Sequence, residues 1–161
     1  MVRRMLTLVA ATGAVLAAVL QAAPAQATVT VQTIQDDVVR LTNAERQKAG
    51  CPPLTAVAQL NVAAQRHSED MAAKNFMGHT GSDGSTMVTR VERAGYTGWR
   101  SLAENVAAGY QTAQAVVAGW MNSSGHRANI LNCGLRDIGV GHATNPNSTY
   151  GVYWTQNFGT R

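Results

Sequence analysis

The order of the periodic segments constrains the fold of this chain more than any other feature. Apolar residues recur at the spacing of one helix face in segments 34–49 and 56–75. Near the end of the chain, segments 136–143 and 149–159 instead alternate side chains between two faces, as strands do. Helices therefore come first and the sheet mostly last. We expect an α+β domain in which helices pack on an antiparallel sheet.

Shorter elements are predicted between these segments. One short helix is expected over about 85–95, and another is expected to start at the capping residue Thr112. A short extended piece is predicted at 104–107. The turn at 144–148 is expected to join the last two strands as a hairpin.

Three residues inside these segments predict close packing. Gly139 and Gly141 alternate with apolar residues in a predicted strand, which indicates close approach of a helix or of another backbone. His67 shares a helical stripe with Leu60 and Met71. We therefore expect His67 to be a buried core residue rather than a ligand.

The first 27 residues have the features of a secretory signal peptide. Arg3 and Arg4 precede an apolar run, and residues 25–27 (Ala-Gln-Ala) supply a small-residue cleavage site. A membrane anchor is the alternative, but the apolar run is short for a span and no stop-transfer flank follows it. We expect residues 28–161 to form a single secreted domain that starts with a short extended lead-in and has no stable membrane anchor.

The charge of the chain argues against a nucleic-acid partner. All nine acidic residues follow the predicted cleavage site, and two of the thirteen basic residues precede it. The formal net charge of the mature chain is therefore +2 rather than +4. The remaining basic residues form no cluster, so nucleic-acid binding is not expected.

We also expect the protein to be a monomer.

Two cysteines, Cys51 and Cys133, are present in the whole chain. In a secreted protein an even number of cysteines predicts disulfide bonding, and with two there is a single possible pair. The bond would close a loop of about 83 residues, which the chain-entropy description values at roughly 4–5 kcal/mol. A redox or metal role would require a second cysteine nearby, so we expect a structural bond.

Three polar residues lie where backbone-permissive neighbours would let them enter a cleft: His79, Glu104 and His126. Two imidazoles and a carboxylate can bind Zn²⁺ with a fourth position left for water, and they can also transfer protons. Purely structural roles are equally consistent with their spacing. His79 could bond the backbone of its loop, Glu104 could bond the amides of 78–81, and His126 could start a turn. No sequence motif of a metalloprotease or serine hydrolase is present.

Six segments together resemble the bacterial branch of the CAP superfamily, whose domain is also called the SCP domain. The superfamily comprises cysteine-rich secretory proteins, antigen 5 and pathogenesis-related 1 proteins. The resemblance covers about residues 34–159 and implies an α-β-α sandwich, with a central antiparallel sheet between helical layers. The segments, in the order of the family, are LTNAERQKAGCPPL, AAQRHSEDMAAKNFMGHTGSDGS, RVERAGY, AENVAAGY, WMNSSGHRANILNCGLRDIGVG and YWTQNFG.

The resemblance also implies a central cavity lined by two histidines and two acidic residues. The histidines fall on His79 and His126, and the first acid falls on Glu104. The second acid falls on Ala118, so this chain departs from the family pattern there. The resemblance implies that the three remaining residues bind a divalent cation weakly, with zinc as the first candidate. Asp83 in the loop after His79 is the candidate to compensate for the missing acid.

These observations lead to three functional hypotheses. We expect a non-catalytic extracellular binding module whose cleft takes a divalent metal or a small amphipathic or lipid ligand, or which binds an extracellular protein. Tyr96, Trp99 and Tyr110 are candidate ligand contacts, although such rings more often pack in a core or at a rim. The alternative is a weak metal-dependent hydrolase or endopeptidase, which Ala118 disfavours because it removes the best candidate base. A cell-envelope protein without a ligand is the third hypothesis.

Overall fold

The computed structural model describes residues 33–161, so the predicted signal peptide and the lead-in 28–32 lie outside the described residues. Residues 33–161 contain five helices and four strands. The helices are α1 (Ile34–Lys48), α2 (Ala58–Lys74), α3 (Met87–Arg93), α4 (Ala113–Met121) and α5 (Ser124–Ile130). The strands are β1 (Thr55–Ala56), β2 (Ser101–Ala108), β3 (Asp137–Thr144) and β4 (Val152–Thr160).

Threonine side chains start three of the helices, as the sequence predicted for α4. At α1, Thr33 Oγ1 accepts from the backbone N–H of Asp36 at 3.2 Å, and the Asp36 carboxylate accepts from the backbone N–H of Thr33 at 2.9 Å. This reciprocal pair satisfies two donors that the first turn would otherwise leave unpaired. Thr86 and Thr112 accept from the third residue of α3 and α4 in the same way.

The four strands form one sheet in the order β1-β3-β4-β2. The three long strands are antiparallel, whereas β1 pairs in parallel with the start of β3. The α+β prediction is confirmed, and the sheet is mixed because of β1. β1 was not predicted from the sequence, because two residues are too few to show alternation.

Helices cover both faces of the sheet, which confirms the α-β-α sandwich. On one face of β4, Val152, Trp154 and Phe158 belong to a core that includes residues of α1, α4 and α5. On the other face, Tyr153 packs with Met71 of α2. Successive side chains of a strand point to opposite faces of the sheet. The two alternating sets of side chains in β4 therefore contact different helical layers.

Two amide side chains of α2 cover the edge of β3 beyond β1. Asn61 Oδ1 accepts from the backbone N–H of Val140 at 2.9 Å. Gln65 accepts from the backbone N–H of His142 at 3.0 Å and donates to its carbonyl at 2.9 Å. An uncovered strand edge is a template for pairing with another chain, and these bonds remove the groups that would pair.

The glycines of β3 let α2 lie directly on the sheet, as their position predicted. A Cβ on Gly139 would overlap the backbone of Leu60 and Asn61, and a Cβ on Gly141 would overlap the backbone of Ala64. Backbone atoms cannot move aside as the end of a flexible side chain can. The contact between β3 and α2 therefore requires glycine at both positions.

Replacing Gly141 with alanine is expected to destabilise the fold by about 1–3 kcal/mol or more, because α2 must move off the sheet. The free energy of unfolding in urea measures this change. Gly125→Ala is the matched control, since nothing lies within 4 Å of a Cβ at Gly125 in α5. The control should be neutral or stabilising by up to about 1 kcal/mol, because alanine is the better helix former. Equal effects of the two changes would contradict the proposed contact.

A disulfide and a set of hydrogen bonds join the end of α1 to the turn that follows α5. The predicted disulfide between Cys51 and Cys133 is confirmed, with a Cα–Cα distance of 4.9 Å. Beside it, Arg46 is fully buried and donates to backbone carbonyls of that turn. The disulfide was predictable from the sequence, whereas the buried position of Arg46 was not.

Candidate functional site

The candidate site lies at β2, the edge strand opposite β1. His79 comes from the loop after α2, Glu104 comes from β2 and His126 comes from α5. Two asparagines hold α5 against β2. Asn129 donates to the Glu104 carbonyl at 3.2 Å and to Asn105 Oδ1 at 2.9 Å, and Asn105 donates to the His126 carbonyl at 3.3 Å. These bonds bring the turn at His126 to the strand that carries Glu104.

Glu104 is buried and both of its carboxylate oxygens are occupied. Oε1 accepts from His79 Nδ1 at 2.9 Å, and Oε2 accepts from Arg90 Nη2 at 2.7 Å. In the amide orientation that suits both of its neighbours, Asn157 also donates to Oε2, at 3.0 Å. Because a guanidinium pairs with this carboxylate inside the protein, its charge is compensated before any ligand arrives.

His79 is the exposed member of the site. Its side chain is 60% exposed, and the carboxylate of Glu104 accepts the proton carried by Nδ1. In the neutral imidazole, Nε2 then carries the lone pair, and no described residue bonds it. Glu104 thus fixes the tautomer of His79 and leaves the outer nitrogen available.

His126 is half-buried and is electrostatically coupled to His79. Burial lowers the pKa of His126, and a positive charge on His79 lowers this pKa further. His126 is therefore neutral at neutral pH, with a lone pair on one ring nitrogen. The structure joins His79 and Glu104 through a hydrogen bond and brings His126 within electrostatic range of His79.

The hydrogen bonds of Glu104 limit which of the three residues could hold a metal ion. Within residues 33–161, no group of three or more His, Cys, Asp or Glu side chains is placed to hold a metal ion. The carboxylate of Glu104 would have to leave Arg90 or His79 to become a ligand. His79 Nε2 and the ring of His126 are the donors that remain, with Glu104 behind His79 in the outer shell.

Ala118 and Asp83, the two positions considered for a second acidic residue, lie away from His79 and His126. Ala118 lines a cavity of about 290 Å³ between α1 and α4, together with Leu41 and Glu45. Asp83 is held by the hydroxyl and backbone N–H of Ser85 and by Arg93 at 2.9 Å, and these bonds lower the pKa of its carboxyl. Neither position bonds His79 or His126 in the described part of the chain.

Of the three candidate aromatic contacts, Tyr96 is buried, Trp99 is partly buried and Tyr110 is exposed. Tyr96 is fully buried and donates to the carboxylate of Asp137 at 2.6 Å, and burial is the main cause that raises its pKa. Trp99 packs beside the core around Tyr96. The ring of Tyr110 lies against Gly119. Packing is the commoner role for such rings, and the contacts of Tyr96 and Trp99 are of that kind.

His67 and Arg90 are the buried polar residues around the site. His67 is 1% exposed, as predicted for a core histidine, and its Nε2 bonds the carbonyl of Gly78 at 2.8 Å. Arg90 was missed, because an arginine in a short amphipathic helix is typical of a solvated face. Its only sequence signal was its place at the start of RVERAGY, one of the segments that carry the resemblance.

Comparison with known families decides the identity of the fold. The profile of the cysteine-rich secretory protein family, CAP, matches residues 39–158. The chain belongs to the CAP family. YkwD of Bacillus subtilis, a protein of uncharacterised function, is 39% identical over 128 residues, which are 80% of this chain and 48% of YkwD.

Solved structures give the same family and fold. An extracellular protein containing a SCP domain from Bacillus anthracis is 32% identical, with a TM-score of 0.71, over 80% of this chain and 40% of that one. An outer surface protein of Borrelia burgdorferi shares the fold, with a TM-score of 0.69 at 21% identity over 81% of this chain and 96% of that one. This CAP protein thus spans about half the length of YkwD and less than half of the Bacillus anthracis chain.

The described part of this CAP protein contains no candidate membrane span. Among residues 33–161, no helix is both long enough and apolar enough to cross a bilayer.

Proposed function

We propose that this CAP protein is a secreted, non-catalytic binding module that uses His79, Glu104 and His126. The state of Glu104 is the observation that carries the proposal. Its two oxygens are taken by His79, Arg90 and Asn157. A carboxylate held in this way orients a neighbour and does not accept a proton from a substrate. This arrangement favours a site that holds a ligand over one in which Glu104 itself acts as the base.

Three observations support an extracellular location. The Bacillus anthracis protein that shares the fold is described as extracellular, and the Borrelia burgdorferi protein as an outer surface protein. A disulfide joins Cys51 and Cys133, and such bonds persist in oxidising compartments. The first 27 residues carry the features of a secretory signal.

The simplest ligand that suits the site is a divalent cation such as Zn²⁺. His79 Nε2 and the ring of His126 would hold it, and Glu104 would support His79 from behind. A bound cation would supply an attachment point for the anionic head of an amphipathic or lipid ligand or for an acidic group of an extracellular protein. Two protein ligands imply a weak site, since zinc sites in proteins ordinarily use three or four.

A metal-dependent hydrolase is not favoured. Such an enzyme needs three ligands and a separate general base. In the described part of the chain, the one carboxylate in contact with the two-histidine site is already paired with Arg90. The position of the second family acid is an alanine, Ala118.

Calorimetric titration of residues 28–161 with Zn²⁺ tests the proposal. We expect saturable binding near one equivalent, lost in the His79→Ala/His126→Ala double variant and kept in His142→Gln. His142 is a matched control because it is a histidine outside the site, with its ring tilted against that of Trp154. Circular dichroism must show that each variant is folded. Absence of binding by the folded wild-type protein would overturn the metal site, and zinc-dependent peptide hydrolysis would overturn the non-catalytic assignment.

Zinc affinity is also expected to depend on pH. An imidazole must be neutral to bind a metal, so affinity should fall steeply below about pH 6. Because the pKa of His126 is lowered, His126 stays neutral to a lower pH than an ordinary histidine would. Titrations between pH 5 and 8 measure this effect. An affinity that does not change across this range would contradict imidazole ligation.

A further inference from the structure

The two histidines of the candidate site come from different layers of the sandwich. His79 bonds Glu104, whose carboxylate pairs with Arg90 of α3, so this pair belongs to the layer that contains α2 and α3. His126 belongs to α5, and Ile130 of that helix packs in the core on the other face of the sheet. The position of one imidazole relative to the other therefore depends on how α5 is fastened to the sheet.

A chain of buried polar side chains fastens α5 on that face. Asn105 of β2 donates through Nδ2 to the His126 carbonyl at 3.3 Å and to Gln156 Oε1 at 3.0 Å. Gln156 of β4 lies directly opposite Asn105 and donates through Nε2 to the hydroxyl of Thr42 in α1, at 2.8 Å. The chain thus runs from α1 through two strands to the backbone of His126. Asn105, Gln156 and Thr42 are all fully buried.

The carbonyls at the site fix the orientation of the amides in this chain. A backbone carbonyl can only accept a hydrogen bond. Asn129 Nδ2 therefore faces the Glu104 carbonyl at 3.2 Å, and it also donates to Asn105 Oδ1 at 2.9 Å. Asn105 Nδ2 must then face the His126 carbonyl and the oxygen of Gln156. Both hydrogens of each asparagine nitrogen are used, so a reversed amide would not satisfy the same groups.

Loss of the Gln156 amide would leave Asn105 with an unpaired donor. Because Asn105 is fully buried, water cannot replace the lost acceptor without entering the core. The asparagine would turn or shift to find another partner, and its bond to the His126 carbonyl would lengthen or break. The backbone at His126 would then move relative to β2, which carries Glu104 and, through its carboxylate, holds His79.

We propose that Gln156 is a positioning residue for the two-histidine site. Among residues 33–161, its hydrogen bonds go to Asn105 and Thr42 and not to either imidazole, so it acts through Asn105 on the backbone of His126. It thereby sets the position of His126 relative to His79 and the affinity of the pair for a divalent cation. This inference rests on the function proposed above and adds to it a residue whose effect on the metal is indirect.

Calorimetric titration of the Gln156→Met variant with Zn²⁺ tests the inference. Methionine keeps the length of the side chain and removes both its donor and its acceptor. Groups that hold a metal ligand from behind change metal affinity by about 10- to 100-fold when they are removed, and we expect a rise of about tenfold in the dissociation constant because Gln156 acts through one intermediate. Circular dichroism must show that the variant is folded.

Thr155→Val is the matched control for this variant. Thr155 is the preceding residue of β4, is also fully buried, and accepts from the Ser68 hydroxyl at 2.9 Å on the opposite face of the sheet. Its replacement removes a buried hydrogen bond of the same strand outside the chain that ends at His126. The control should lose stability in urea as Gln156→Met does and should keep the zinc affinity of the wild-type protein.

The same substitution at Thr42 keeps the test decisive if Gln156→Met fails to fold. Thr42→Val and Thr155→Val each remove one hydroxyl at a fully buried position and keep the shape of the side chain. Thr42 belongs to the chain that ends at His126, whereas Thr155 does not. We expect Thr42→Val to weaken zinc binding about threefold, near the lower end of the contribution of one hydrogen bond. Thr155→Val should not weaken it.

A measurement without zinc separates this inference from the metal proposal. Nuclear magnetic resonance signals of the histidine rings in the zinc-free protein report the surroundings of each imidazole. Gln156→Met should shift the ring signals of His126 and leave those of His67, which lies in α2 in the other layer, unchanged. Thr155→Val should leave the ring signals of His126 in place.

Two results would overturn the positioning role. The first is a folded Gln156→Met variant, or Thr42→Val in its place, that binds zinc as tightly as Thr155→Val. The second is that the zinc-free variant shows the His126 ring signals of the wild-type protein. If the wild-type protein binds no zinc, the metal site proposed above fails, and the His126 signals still decide whether Gln156 positions this histidine.

Discussion

Loss of the disulfide is expected to lower the free energy of unfolding by about 4–5 kcal/mol. Cys51 and Cys133 are 82 positions apart, and the bond removes the freedom of that long loop from the unfolded chain. A domain of this size is stabilised by about 5–15 kcal/mol in all, so the loss would leave it marginally folded. Urea unfolding of the Cys51→Ala/Cys133→Ala variant measures the effect.

Two controls separate the loop constraint from local packing. Reduction of the wild-type protein should reproduce the loss seen in the double alanine variant, because both remove the same constraint. The single variant Cys51→Ala should lose about as much as the double variant, since either change opens the loop. A loss below about 1 kcal/mol in all three cases would contradict the entropic account.

Replacing Arg46 with methionine is expected to cost about 3–5 kcal/mol of the free energy of unfolding. The guanidinium donates to the carbonyls of Ile130 and Asn132 at 2.8 Å, and to those of Pro52 and Leu135 at 3.0 and 3.1 Å. Arg46 is fully buried, so its loss leaves these carbonyl acceptors unpaired and away from water. Each carbonyl that finds no water lowers the free energy of unfolding by about 1–3 kcal/mol.

The arginine also compensates the end of α5. Ile130 is the last residue of that helix, and its carbonyl has no partner within the helix. A cation at this end is favoured by the helix dipole as well as by the hydrogen bonds. No carboxylate is among the hydrogen-bond partners of Arg46 in the described residues. This side chain therefore acts as a cap for backbone carbonyls rather than as half of an ion pair.

Urea unfolding of three variants tests this role of Arg46. Arg46→Met keeps the volume of the side chain and removes the donors. Arg46→Lys keeps the charge and offers three donors without the planar fork, so we expect it to recover part of the loss. Arg127→Met on the exposed face of α5 is the matched control and should change stability by less than about 0.5 kcal/mol. An Arg46→Met variant as stable as the control would refute the capping role.

The losses in free energy of unfolding caused by removing Arg46 and by removing the disulfide should not be additive. Arg46 and the disulfide hold the end of α1 to the same turn, and the backbone N–H of Cys51 donates to the Arg46 carbonyl at 2.9 Å. Contacting residues that fix the same segment ordinarily show coupling energies of about 0.5–3 kcal/mol. The combined variant, compared with each single change, measures this coupling.

The candidate site was predictable only in part. His79, Glu104 and His126 stood out as polar residues among permissive neighbours, and the family resemblance joined them. The pairing of Glu104 with Arg90 and Asn157 was not predictable, since these residues lie in α3 and β4. That pairing occupies the carboxylate that contacts His79.

The sequence alone determined the helices α1 to α4, the strands β3 and β4, and the cap at the start of α4. Helical periodicity and alternation depend on residues a few positions apart, and the alternation in β4 already separated Trp154 from Tyr153. Gly139 and Gly141 indicated a close contact without naming α2 as the partner. The disulfide followed from the presence of two cysteines. Each of these inferences depends only on the spacing of nearby residues or on the number of residues of one type.

Tertiary structure alone decided where the buried polar groups find their partners. Arg46 looks like any arginine of an amphipathic helix, and its carbonyl acceptors lie as many as 89 positions away in the chain. His67 and Arg90 line one cavity only because α2 and α3 pack together. Hydrogen bonds are short and directional, so the sequence can supply a donor but only the folded chain can place its acceptor.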